Sequence, residues 1–184
     1  MVLQGLLAAT AFAIAQAGIQ APEAAENFVH ACVATGGERS AVAELARTRG
    51  WLPVETATRA GVVWADAYRA GESVVALYLT PATDAPSDAP AGIPVILSPP
   101  KSHCLVTLKA PPGAWRQAAT VLDASGGLAP FPEALQPAEG AGRNGAVRYY
   151  GLTDRMAAVV IREDAARGLL EISIVRGLPR EPED

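Results

Sequence analysis

The chain has 184 residues, 15 Lys and Arg against 19 Asp and Glu, a net charge of −4 and half of its residues apolar. That length carries one domain with a sizeable core. The acidic balance, with no basic run, excludes binding to nucleic acid by charge and holding to an anionic membrane surface.

The first 15 residues are apolar apart from Gln4 and Thr10, and no charged side chain occurs before Glu23. This is the h-region of a secretory signal, and Ala15-Gln16-Ala17 supplies a small-x-small cleavage pattern. We expect residues 1–17 to be a signal peptide, 18–176 a single domain and 177–184 a flexible tail. The alternative is a retained apolar helix. The run falls short of the roughly 20 residues a comfortable span needs, so no stable membrane span is expected after processing. Cys32 lies well beyond the apolar run, behind Val29-His30-Ala31, which does not fit a lipidated cysteine.

Residues 21–34 read as a helix, with Pro22 in its first turn, Phe28 and Cys32 on one face, and Gly36-Gly37 as its stop. A second helix spans 38–49 and ends at Gly50. Trp51 reads as a plug between the helix pair and the rest. Strands are then expected at 61–68 and 73–80, joined by a hairpin turn, followed by a proline-rich loop over 81–92 and a short strand over 93–98. Residues 103–109 form a better strand, with Cys104, Val106 and Leu108 on one face and His103, Leu105 and Thr107 on the other. A third helix occupies 112–124, residues 125–146 read as a long loop, and strands close the chain near 147–152, 155–162 and 169–176. No internal repeat is counted beyond a faint echo between the hairpins 61–80 and 155–176. The fold expected is α+β: a mostly antiparallel sheet with two N-terminal helices and one further helix on one face.

The chain's two cysteines and two histidines fall in two clusters, ENFVHACVATGG and PPKSHCLVTLKA. A zinc site needs four converging ligands. His30 and Cys32 are about 200° apart on a helix, and His103 and Cys104 point to opposite faces of a strand, so neither local pair chelates. A redox pair favours C-x-x-C at a helix N-terminus, whereas Cys32 sits near a helix C-terminus. A Cys/His nucleophile lacks an orienting third residue. A structural disulfide Cys32–Cys104 fits best: an even count, an exported chain, and two apolar faces that meet when the helix lies on the sheet. Two buried free thiols are the alternative.

No G-x-S-x-G, H-E-x-x-H or phosphate loop is present, and no cofactor or metal is expected. Asp66 between Trp64 and Tyr68 is a candidate ligand-binding strand face, set against plain cross-strand packing. Tyr78 and Tyr149-Tyr150 are candidates to rim a pocket or to fill the core. The reading is a non-catalytic binding or envelope-associated protein with a protein or small-molecule partner in the envelope. A small periplasmic hydrolase or small-ligand binder, with its site under the 125–146 loop, is the alternative.

The early F-x-x-x-C from Phe28 to Cys32, the second short helix, Gly50-Trp51 and the single later cysteine resemble a group of small exported proteobacterial proteins of unknown function. The resemblance covers 24–52 and Cys104. It implies periplasmic residence and no assigned activity. The lipid-attachment motif of some members is missing here, so anchoring is not carried over.

Overall fold

A computed structural model describes residues 20–56, 60–82, 100–137, 145–153 and 157–177. The expected leader, the 93–98 strand, most of the proline-rich loop and the tail from 178 lie outside the described residues.

Helix α1 runs over 20–28 and continues as a π-helix over Val29–Ala34, and α2 spans Arg39–Arg49. Gly50 closes α2 in the left-handed region at φ 68°, where a residue without Cβ avoids the steric cost. Four strands follow: β1 (Leu52–Val54), β2 (Trp64–Ala70), β3 (Ser73–Thr80) and β4 (Lys101–Lys109). Then come α3 (Trp115–Asp123) and four more strands: β5 (Leu128–Pro130), β6 (Ala146–Leu152), β7 (Ala158–Asp164) and β8 (Leu169–Gly177). They form one antiparallel eight-stranded sheet in the order β1-β2-β3-β4-β8-β7-β6-β5.

The α+β expectation holds, with three differences. Trp51-Leu52-Pro53 is not only a plug, because Leu52 to Val54 pair with β2 as an edge strand. A three-residue strand is too short for alternation to register, and proline is tolerated at an edge. The segment after α3 is likewise not one loop: Leu128–Pro130 pairs with β6, and Phe131 N donates to Tyr149 O at 3.1 Å.

The third difference is a repeat. A helix followed by a four-strand meander occurs twice, and the two meanders join through β4 and β8 at the centre of the sheet. Strand lengths correspond: three residues in β1 and β5, seven in β2 and β6, nine in β4 and β8. The hairpin echo in the sequence aligned β2–β3 with β7–β8, one strand out of phase with this repeat.

Register decides which side chains meet the helices. One row across the sheet is Asp66, Leu77, Cys104, Ile174, Val159 and Tyr150; the next is Tyr68, Val75, Val106, Ile172, Ile161 and Arg148. The apolar members of these rows are buried with Phe28, Ala31 and Cys32 of α1, Val42 of α2, and Ala118, Ala119 and Leu122 of α3. Each large apolar side chain moved out of water there contributes on the order of 2 kcal/mol. All three helices therefore cover the same face. Among the described residues, no helix is long and apolar enough to cross a membrane.

Candidate functional site

The disulfide is present. Cys32 in the π-helical turn and Cys104 in β4 are bonded at 2.01 Å, with Cα atoms 5.6 Å apart, and both are buried. Arg176 from β8 donates through Nη2 to Cys32 O at 2.6 Å, fastening the end of α1 to the centre of the sheet. Gly37 makes this approach possible: a Cβ there would lie 3.0 Å from Arg176 Nη1 and 3.4 Å from Cys104 Cβ. His103 belongs to the opposite face of β4, in register with Tyr78 and Val175, while Cys104 is in register with Leu77 and Ile174. Among the described residues no group of three or more His, Cys, Asp and Glu converges as a metal would require.

Trp64, Asp66 and Tyr68 alternate along β2 and share the helix-facing side. The chain itself occupies that side. Arg39, at the start of α2, donates through Nε to Asp66 Oδ2 and through Nη2 to Oδ1 at 3.0 Å, and its guanidinium carbon sits 4.9 Å from the Trp64 ring centre. Burial pushes the Tyr68 phenol above its ordinary pKa, with Asp66 adding to the shift. The three residues are brought together, and Arg39 makes of them a clamp between α2 and β2. The second half carries a counterpart with the charges exchanged. Arg148, third in β6 as Asp66 is third in β2, pairs with Asp123 of α3 at 3.2 and 3.3 Å and lies 5.5 Å from the Tyr150 ring. Tyr150 is fully buried, donates to Ala119 O at 3.4 Å, and is held far above the usual phenol pKa by burial.

On the other face of the sheet, the open face, no described helix packs; Ala67 and Ser173 are buried there, Val175 is exposed, and the other side chains of its two central rows are half-buried. One row there is Ala67, Ala76, Leu105, Ser173, Val160 and Tyr149; beside it run Ala65, Tyr78, His103 and Val175. None of these ten residues is an acid, Lys or Arg. Tyr78 and His103 stack with ring centres 4.2 Å apart and planes 9° apart, and His103 Nε2 is 3.2 Å from Thr80 Oγ1. Burial and then nearby Lys101 lower the pKa of His103, which favours the neutral ring. Phe131 lies over Gly151 and tilts against Tyr149 with ring centres 6.3 Å apart, extending the band toward β5.

The charged residues of this face stand outside the two rows. The next row is Arg69, Val74, Thr107, Glu171, Arg162 and Ala146. Within it Arg162 Nη1 donates to Glu171 Oε1 at 2.7 Å and to Ser173 Oγ at 2.6 Å. A shallow pocket of about 450 Å³ opens beside this network at the β7–β8 turn, lined by Asp164, Arg167 and Leu169 among others.

Of the aromatic candidates, Tyr150 is core, whereas Tyr78 and Tyr149 belong to the open face. His103, Arg162, Glu171 and Ser173 escaped the sequence reading as a group. Their signal is period-2 alternation, which sets His103 opposite the helix-facing Cys104 within β4 but does not say which residues of the other strands join it. The described part of the 125–146 segment is tied to β6: the Gln136 side chain donates to Phe131 O and Tyr149 O, and accepts from Tyr149 N at 2.9 Å.

The chain matches no family model, no curated protein and no solved structure.

Proposed function

We propose that this chain is an exported, disulfide-stapled binding protein that holds a partner on the open face of its sheet and performs no catalysis. The observation that carries the reading is the pair of adjacent rows across the centre of that face that hold no acid, Lys or Arg, bordered by Arg162 and Glu171, with the Arg162 guanidinium reaching in to Ser173. A band of that kind, apolar at its centre and polar at its rim, is the anatomy of a binding surface. Its Tyr78 and His103 rings stack on one another, and Arg162 beside it is paired with Glu171 and Ser173, which suits a complementary surface better than bond-making chemistry.

Export to the periplasm or beyond is supported by the apolar leader and by the buried disulfide, a bond that persists in oxidising compartments. The test is an intact mass of the protein taken from its native envelope fraction, with and without reductant. Loss of residues 1–17 and a gain of two hydrogens on reduction are expected. An unprocessed N-terminus with two free thiols would remove the basis of the export reading.

A further inference from the structure

We infer that the partner held on the open face is a second copy of this chain, packed sheet to sheet about a two-fold axis parallel to the strands. The inference rests on the sheet-face reading above and names its occupant.

Three observations carry it. The first is size. Six of the strands have seven to nine residues. At ordinary strand and residue spacings, four rows across them cover about 800 Å², the area each partner contributes to a standard interface.

The second is shape. In the central row, the β2–β3 side carries Ala67 and Ala76, and the β6–β7 side carries Tyr149 and Val160. A copy turned about an axis parallel to the strands, above the β4–β8 seam, sets its Tyr149 and Val160 over Ala67 and Ala76. Large side chains of each copy then meet small ones of the other on both sides of the axis. This is the self-complementarity that an isologous interface needs, at the roughly 10 Å separation of packed sheets.

The third is charge. The row beside the band carries Arg162 already paired with Glu171 at 2.7 Å, and Arg69 at its β2 end; Lys101 and Lys109 stand at the two ends of β4. The two central rows themselves carry no acid, Lys or Arg, so the mostly positive charges of two copies stand outside the part of the face where their apolar side chains meet. His103, next to the centre, is biased toward its neutral form.

The test is the mass of the oxidised chain in solution by sedimentation equilibrium from 1 to about 300 µM, for the wild type and three variants. Leu105→Lys places a charge at the centre of the face. Val175→Lys does so at a position 44% exposed, where folding is not at stake. Ala43→Lys, exposed on α2 on the helix-covered side of the sheet, is the control. A wild-type dimer, weakened at least about 100-fold by either face variant with melting temperature unchanged, and indifferent to Ala43→Lys, is the expected result. A wild type monomeric throughout would overturn the second copy and leave the face to a different occupant. A dimer indifferent to both face variants would overturn the sheet-face reading itself.

Discussion

Cys32 and Cys104 are 72 residues apart, and both are buried where α1 crosses β4. Closing a loop of that length removes chain entropy from the unfolded state worth about 4 kcal/mol. Replacing both cysteines with Ala is expected to lower the melting temperature by about 10 °C, read by circular dichroism against the oxidised wild type. His103 makes a second prediction. Its pKa in the fold is lowered, by burial and by Lys101, below that of the unfolded chain. A group shifted in that direction favours the fold above its unfolded pKa of about 6.5 and withdraws that stability as pH falls through the folded value. Urea midpoints should therefore decline on acidification below about pH 6.5, and His103→Gln should flatten that part of the decline; equal slopes in the two proteins would exclude the histidine as a source. At Tyr150 the sign is opposite: its raised pKa keeps the phenol neutral, so stability falls as pH rises past about 10, where the unfolded phenol ionises.

Two glycines at element ends separate conformational strain from steric collision. Gly50 ends α2 at φ 68°, and a Cβ there would meet nothing within 4 Å. Gly145 precedes β6 at φ 71°, and its Cβ would lie 2.7 Å from the backbone oxygen of Glu163. Gly50→Ala should cost about 1 kcal/mol, the ordinary penalty of a left-handed residue with a Cβ. Gly145→Ala should cost clearly more, because a backbone atom of β7 must move beside the register shift between Ala146 and Arg148. Chemical denaturation of the two variants side by side gives the comparison, and equal losses would mean that the β6–β7 ladder yields without cost. The helix-to-sheet clamps belong to this scale too. Arg39 with Asp66, and Asp123 with Arg148, orient α2 and α3 on their meanders, yet they are exposed pairs of modest energetic weight. The apolar faces of the helices supply the stability, and the clamps fix the angle.

At the scale of the whole molecule, the seam between the halves is the longest ladder in the sheet, nine residue pairs between β4 and β8. The disulfide ties α1 to β4 on one side of that seam, and Arg176 of β8 reaches Cys32 O from the other. The two halves share one continuous core, so we expect a single cooperative unfolding transition, with tryptophan fluorescence and far-ultraviolet circular dichroism coinciding. Separate transitions would mean that the two meanders melt independently.

The amino-acid pattern alone determined the three helices, the six long strands and the pairing of the cysteines. These rest on short-range physics: apolar spacing, glycine and proline punctuation, and the face on which Phe28, Cys32, Cys104 and Val106 fall. It left β1 and β5 unread, because three residues around Pro53 and Pro130 carry no periodicity. It left the repeat unread, because the helix and four-strand order is kept while the side chains differ, Asp66 standing where the second half has Arg148. The cysteine pairing placed the first helix on the Cys104, Val106 and Leu108 face of β4, and only the tertiary structure carried that choice to the other strands. Alternation sorts each strand into two sets, but strand order and register decide which set joins the Cys104 face. Pairing across the sheet put Leu77, Ile174 and Asp66 in the row of Cys104, turned Trp64, Asp66 and Tyr68 toward Arg39, and left Leu105, Tyr78 and His103 on the other face.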